Sequence, residues 1–254
     1  MIVRNESSCL ERCLNSTRGL VDEMIIVDTG STDGTQDLAR KAGARLLQST
    51  WKADFSLARN ESLEAATGSW ILVLDADEEL HPQAAEQIRS SLLEAKASQA
   101  QSCAFTLIQN SSNNGGKTGM KLNIIRLFPR LPSLRYEWPV HEQVGTSLQR
   151  LGLPVYACPA EILHHGYNDA IRNQEKQTRN IALLKKQIES GASVNALTWF
   201  LLGGAHLDLK QYPEALAAYS QAKQLAPAQS EIASGATIRL ADCLYHQGRY
   251  EAVL

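Results

Sequence analysis

The run Trp70-Ile71-Leu72-Val73-Leu74, followed at once by Asp75-Ala76-Asp77-Glu78-Glu79, constrains this chain more than any other segment. Apolar residues in so short a run, just after Gly68, read as a buried strand of a parallel sheet. Carboxylates at the carboxyl end of such a strand open into the crevice where an α/β sheet binds its ligands. Asp75 and Asp77 repel each other beside desolvated side chains, so something positive should balance them. A divalent cation with diphosphate oxygens meets that need, because hard cations prefer oxygen ligands. The alternative is an acidic strand-to-helix cap, with Asp77 or Glu78 capping a helix that starts near Pro82.

The segments before this run alternate strand and helix signals. Strands are expected at 1–3, 23–28 and 44–47. Helices are expected from Ser7 or Ser8 to Leu20, over 36–42 and over 54–66. Strand and helix in alternation imply an α/β domain with a parallel sheet and helices on both faces. Thr29-Gly30-Ser31-Thr32-Asp33-Gly34-Thr35 is a turn-rich loop behind the second strand. Later, 103–109 and 122–128 read as an antiparallel pair joined by the Asn/Ser/Gly-rich stretch 110–117.

The character changes near Tyr167. From Asn168 onward helix formers dominate, and Ile181, Leu184 and Ile188 recur at helical spacing. Trp199, Leu202-Gly203, Ala215, Tyr219, Ala222 and Pro227 stand at the offsets of a tetratricopeptide repeat. Leu240, Ala241, Leu244 and Tyr250 begin a second copy that stops inside its second helix. The expected organisation is an α/β domain over 1–167 and, over 168–254, a helical linker with repeats, the last one truncated.

Composition narrows the function class. The chain has 254 residues with 44% apolar and 20% charged content, enough for a packed core, and its net charge is −2. No basic excess supports a nucleic-acid surface. No apolar stretch approaches the roughly twenty residues that a membrane span needs. No signal peptide is expected, because charges appear at Arg4 and Glu6 before an apolar stretch. The five cysteines are scattered with no CxxC pair, which fits a reducing compartment. The expected location is the cytoplasm, either free or peripheral to the inner face of the membrane.

Taken together, four segments carry a resemblance. They are Met1-Ile2-Val3-Arg4-Asn5-Glu6, Ile26-Val27-Asp28 with the loop to Thr35, Asp54-Phe55-Ser56-Leu57-Ala58-Arg59-Asn60, and Leu74-Asp75-Ala76-Asp77-Glu78. In this order and spacing they resemble family 2 glycosyltransferases, whose fold, called GT-A, is a Rossmann-like mixed sheet with helices on both faces. Trp138-Pro139-Val140-His141-Glu142 and Ile162-Leu163-His164-His165-Gly166-Tyr167 resemble a bacterial subgroup with C-terminal tetratricopeptide repeats.

The resemblance implies inverting transfer of a sugar from a nucleotide-diphosphate donor, aided by a divalent cation, Mn²⁺ or Mg²⁺. It implies donor contacts from Val3, Asn5, Glu6, Asp28, Gly30, Ser31, Asp33, Arg59 and Asp75. Strand-end Asp28 can hydrogen-bond a nucleobase or ribose, and Gly30 lets the backbone approach the ligand. Many family members carry a second Asp where this chain has Thr29. The Arg59 guanidinium matches phosphate oxygens, or forms a surface ion pair with Glu61 or Glu64. Asp75 resembles the acid that faces the ribose, and Asp77 the acid that binds the metal. His164, rather than His165, aligns with a late metal ligand, the alternative being a packed histidine.

An inverting transfer needs a base for the acceptor proton. Glu142 is the candidate, with His141 as its orienting partner or substitute, the alternative being an ion-paired loop. Glu78 and Glu79 are expected to support or cap. The acceptor is a protein, peptide, glycan or lipid, and the repeats suit a protein partner because stacked helix pairs form a concave groove. Two other readings compete. A sugar nucleotidyltransferase would need a Gly-rich basic loop to grip triphosphate, which is missing here. A non-catalytic adaptor would not need Asp75, Asp77 and Glu142.

Overall fold

A computed structural model describes residues 1–97, 103–111, 120–165, 170–191 and 194–252. The chain divides into two compact units, Met1–Gly166 and Tyr167–Leu254.

The first unit runs β1 (Ile2–Val3), α1 (Leu10–Ser16), β2 (Ile25–Asp28), α2 (Thr35–Lys41), β3 (Arg45–Gln48), α3 (Phe55–Ala65), β4 (Trp70–Leu72), β5 (Glu78–Leu80), α4 (Ala84–Ala97), β6 (Ala104–Ser111), β7 (Met120–Pro129), α5 (Gly145–Arg150) and β8 (Val155–His164). β1, β2 and β3 form a parallel sheet in that order, with Val3 opposite Asp28 and Asp28 opposite Gln48. A second sheet has the order β4-β7-β6-β8-β5. In it β6 and β7 are the expected antiparallel pair, while β6 and β8 run parallel.

The expectation of a parallel strand at 70–74 is corrected. β4 is three residues long and pairs antiparallel with β7, Trp70 opposite Pro129 and Leu72 opposite Leu127. The unbroken apolar run has another cause. Trp70, Leu72 and Leu74 pack into a core with Ile88 of α4 and Phe105 of β6. Ile71 and Val73 face a second core built from Leu63 of α3, Phe128 of β7 and Leu148 of α5. Burial on both faces, not strand direction, makes the run continuous. The acids Glu78 and Glu79 do not cap a helix either; they lie in β5, paired with β8.

The first helix is shorter than the 7–20 region suggests. The Ser7 N–H donates to Asp33 Oδ2 at 3.0 Å, so it is tied to a neighbouring loop, and α1 begins at Leu10. Asp54 caps α3, its Oδ1 accepting the Leu57 N–H at 3.1 Å.

The second unit contains α6 (Ala170–Ser190), α7 (Ala196–Asp208), α8 (Tyr212–Leu225), α9 (Glu231–His246) and a 3₁₀ turn at Tyr250–Ala252. Asn195 and Thr198 form a reciprocal capping box at the start of α7. Gly203 on α7 faces the buried Tyr219 ring of α8, where a Cβ would come within 2.8 Å of ring carbons. Ala215, Ala218 and Ala222 are buried beside it on α8. Small residues here let the paired helices approach, and the Tyr219 ring, edge-on to Phe200 at 5.4 Å, fills the groove between them. Among the described residues no helix is long and apolar enough to cross a membrane.

Candidate active site

The parallel strands β1 and β2 end side by side, and their following loops are stitched together. Asn5, held at φ 58°, accepts the Thr32 N–H on Oδ1 at 2.8 Å and donates its own N–H to Ser31 Oγ at 2.9 Å. The Glu6 N–H donates to Thr35 Oγ1 at 2.8 Å, and Asp33 Oδ1 accepts the Thr35 N–H at 3.1 Å. Thus Asn5, Ser31 and Asp33 use their polar atoms to shape the loop pair. Hydrogen bonds from Thr35 and Ser7 outweigh the desolvation of Asp33 and hold its carboxyl well below the usual range. Thr29 donates its hydroxyl to the buried Val3 carbonyl at 3.1 Å.

Asp28 closes β2 and is 2% exposed. Its Oδ1 accepts from the Gly30 N–H at 3.0 Å, the Ser31 N–H at 2.9 Å and Gln36 Nε2 at 3.1 Å. Gly30 reaches this bond with φ 110°, a region where a side chain is strained. Asp28 Oδ2 is buried with no hydrogen-bond partner among the described residues. Burial pushes the carboxyl up, but the bonds from Ser31, Gly30 and Gln36 prevail and lower it.

The positive charge that balances Asp75 comes from the protein. Arg59 Nη2 donates to Asp75 Oδ1 at 2.7 Å, and Arg126 Nη2 donates to Asp75 Oδ2 at 2.9 Å. Arg126 Nη2 also reaches Glu78 Oε1 at 2.7 Å, and Arg59 Nε pairs with Glu142 Oε1. Glu78 is fully buried; it accepts the Asp75 N–H on Oε2 at 2.8 Å and the Gln109 amide on Oε1. Desolvation opposes ionisation of Asp75, yet the two guanidinium groups hold it far below the ordinary carboxylate range. Glu78 goes the other way: burial raises it and Asp75 adds to the rise, against the pull of Arg126. Arg59 also lies 5.4 Å from the centroid of the Tyr136 ring. The alternative for Arg59, a surface ion pair with Glu61 or Glu64, is therefore corrected. Its contacts are the acids Asp75 and Glu142, neither Glu61 nor Glu64, and it is buried.

Asp77 stands apart from this network. Its Oδ2 lies 3.1 Å from His164 Nε2, and His164 Nδ1 lies 3.3 Å from Ser111 Oγ. Next to it, His165 Nε2 is 2.8 Å from Glu79 Oε2, with Arg12 Nε 3.6 Å from the same oxygen. Among the described residues no group of three or more His, Cys, Asp and Glu side chains converges on one point. Asp77 and His164 nonetheless fit a divalent cation as a pair. They offer one carboxylate and one imidazole nitrogen, and Ser111 can fix the ring through its other nitrogen. Asp75 fits less well, since each of its oxygens already takes a guanidinium.

Glu142 sits in a loop closed by two backbone bonds between Glu137 and Gln143, at 2.9 and 3.0 Å. Trp138 and His141 take positive φ, 79° and 54°, and the Pro139 carbonyl accepts the Phe55 N–H at 2.9 Å. The strained backbone and the tie to α3 bring Glu142 onto Arg59, while His141 is exposed.

Sequence reasoning missed Arg126, Gln109 and Ser111. One signal for Arg126 was available. It is the one charge in the apolar run Ile124-Ile125-Arg126-Leu127-Phe128, and a charge in such a run needs a partner.

Comparison with known proteins places the family and the fold. Residues 1–150 match the family described as Glycosyl transferase family 2, and residues 196–229 match the tetratricopeptide repeat. The chain is 40% identical over 196 residues to a TPR repeat-containing protein of Synechococcus elongatus, covering 75% of this chain and 46% of that protein. It is 27% identical over 191 residues to the SPbeta prophage-derived glycosyltransferase SunS of Bacillus subtilis, covering 74% of this chain and 44% of that protein. The chain thus spans about half the length of these curated relatives. Among solved structures, S. aureus TarS superposes with a TM-score of 0.52 at 13% identity, over 99% of this chain and 53% of that one. The complex of TarS 1–349 with UDP-GlcNAc gives 0.51 at 13% identity, over 98% and 86%. These structures share the fold, a mixed sheet with helices followed by a helical region. With more than half its length matched by the family, the chain belongs to glycosyl transferase family 2.

Proposed function

We propose that this chain transfers a sugar from a nucleoside-diphosphate donor to an acceptor, with inversion, through a donor-binding unit over 1–167. The observation that carries this reading is the contrast between Asp75 and Asp77. Two acids one residue apart have different partners, one clamped by two guanidinium groups and the other beside an imidazole.

Asp75 stays ionised and keeps a free lone pair on each oxygen to accept a ribose hydroxyl. Asp28 Oδ2, buried and without a partner among the described residues, accepts an N–H of the base or a second hydroxyl. The loops shaped by Asn5, Glu6, Ser31 and Asp33 flank the donor crevice beside Val3. Glu142 takes the proton of the attacking acceptor hydroxyl while Arg59 holds its other side. Asp77 and His164 would hold Mn²⁺ or Mg²⁺, which stabilises charge on the leaving diphosphate when bound. The helical unit over 168–254 serves acceptor or partner binding, for a protein, peptide, glycan or lipid-linked group, and the protein works in the cytoplasm.

A second reading, a non-catalytic adaptor, draws on the Synechococcus relative, which is named for its repeats alone. Titrating the full chain with nucleoside diphosphates, with and without Mn²⁺, and screening nucleotide sugars for hydrolysis separates the two. Metal-dependent binding with slow hydrolysis is expected. Binding of none of them sinks the transferase reading, and binding without hydrolysis or transfer favours the adaptor.

A further inference from the structure

We propose that Arg126 is a positioning residue that aims the Asp75 carboxylate at the donor, itself held in place by Glu78 and Gln109. The proposal rests on the donor-binding role given to Asp75 above. Four observations carry it.

Arg126 holds the segment 73–75 twice. Its carbonyl accepts the Val73 N–H at 2.8 Å, and its guanidinium takes Asp75 Oδ2 at 2.9 Å. The strand and the acid are therefore referenced to one residue of β7. Second, Asp75 is held at three points: Oδ1 by Arg59, Oδ2 by Arg126, and its N–H by Glu78. Turning the carboxylate about its own axis breaks a charge-assisted bond on one side or the other.

Third, exposure separates the residue that touches ligand from those that act through it. The Asp75 side chain is 33% exposed, Arg126 is 11%, and Glu78 is fully buried. Asp75 faces the crevice and Arg126 lies behind it. Fourth, Arg59 divides its charge between Asp75 and Glu142, and Arg126 divides its own between Asp75 and Glu78. A second guanidinium on the opposite oxygen adds orientation. Glu78 holds the Arg126 guanidinium from behind, and the Gln109 amide completes its bonding.

The test uses the full chain and binding of UDP, GDP, ADP and CDP, each with and without Mn²⁺, followed by melting temperature. The variants are Arg126→Lys, Arg126→Met and the double variant Arg126→Met with Glu78→Gln. Lys keeps the charge but offers one compact donor in place of a fork. Arg126→Lys should melt near wild type and bind the preferred nucleotide several-fold more weakly. Arg126→Met leaves Glu78 buried without its cation and should lose stability; the double variant should recover most of it. In both, affinity should stay roughly tenfold down, the scale of a misplaced hydrogen bond to a charged group.

Wild-type affinity in Arg126→Lys, or in the stable double variant, overturns the proposal and leaves Arg126 as the charge partner of Glu78. Failure of the wild type to bind any of the four nucleotides removes the donor role of Asp75, and the positioning role with it.

Discussion

Arg59 joins Asp75 to Glu142 through a single guanidinium, Nη2 on Asp75 Oδ1 at 2.7 Å and Nε on the Glu142 carboxylate. The acid proposed to face the donor and the base proposed to face the acceptor thus share one buried cation. A shift of either carboxylate is felt by the other, because the fork is planar and rigid. The arrangement also leaves Arg59 Nη1 and Arg126 Nε buried without partners among the described residues, the cost of packing two guanidinium groups around one acid.

Glu142→Gln tests the base directly. The amide oxygen can still accept from Arg59 Nε, so the loop should hold its place, but an amide does not take a proton. Turnover is expected to fall about a hundredfold or more, the usual scale for a lost general base, with donor affinity little changed. Steady-state kinetics with separate titration of the nucleotide decide it. Unchanged turnover with collapsed binding would make Glu142 a donor-site residue.

Asp77→Ala should abolish transfer and leave the fold intact. Asp77 contributes no ion pair to the Arg59–Asp75–Arg126 network and its side chain meets His164. The melting temperature should stay near wild type while the Mn²⁺ dependence of nucleotide binding disappears. Retained Mn²⁺ dependence would reject the metal role.

Gly203→Ala should destabilise the helical unit. The added methyl would lie 2.8 Å from Tyr219 ring carbons, and Tyr219 is buried with no room to move aside. Overpacking of this kind costs about 1–3 kcal/mol. Urea unfolding followed by far-UV dichroism reads the loss, and nucleotide binding should survive in the variant. Loss of donor binding in step with helix unfolding would show that the repeats support the catalytic fold.

Acid should loosen the loop that follows β2. Asp28 and Asp33 both have carboxyls lowered by hydrogen bonds in the folded chain. A lowered acid contributes stability above its unfolded value, near pH 4, and loses it as pH falls through the folded value. Stability should therefore decline below about pH 4, and Asp33→Asn should flatten that decline. An identical slope in the variant would assign the acid lability elsewhere.

Much was legible in the chain because its causes are local. Strand ends show as apolar runs that stop at Asp28 and Asp75, loops as Gly and Asp clusters, and the repeat as small and aromatic residues at fixed offsets. Hydrophobic period, turn chemistry and repeat spacing act over a few residues, so they are written where they act. The same reading placed Asp28, Asp75, Asp77, Glu142 and His164 in the sheet unit without their contacts.

Only the tertiary structure decided how those residues meet. The partner of β4 is β7, and periodicity carries no information on strand direction. One counter-charge of Asp75 is Arg126, 51 residues away, and that of Glu142 is Arg59, 83 residues away. An acid alone at a strand end can be balanced by a metal, a ligand or a distant arginine, and all three look alike in sequence. Packing chose the arginines for Asp75 and the histidine for Asp77, because the ladders bring β7 beside β4 and β8 beside β5.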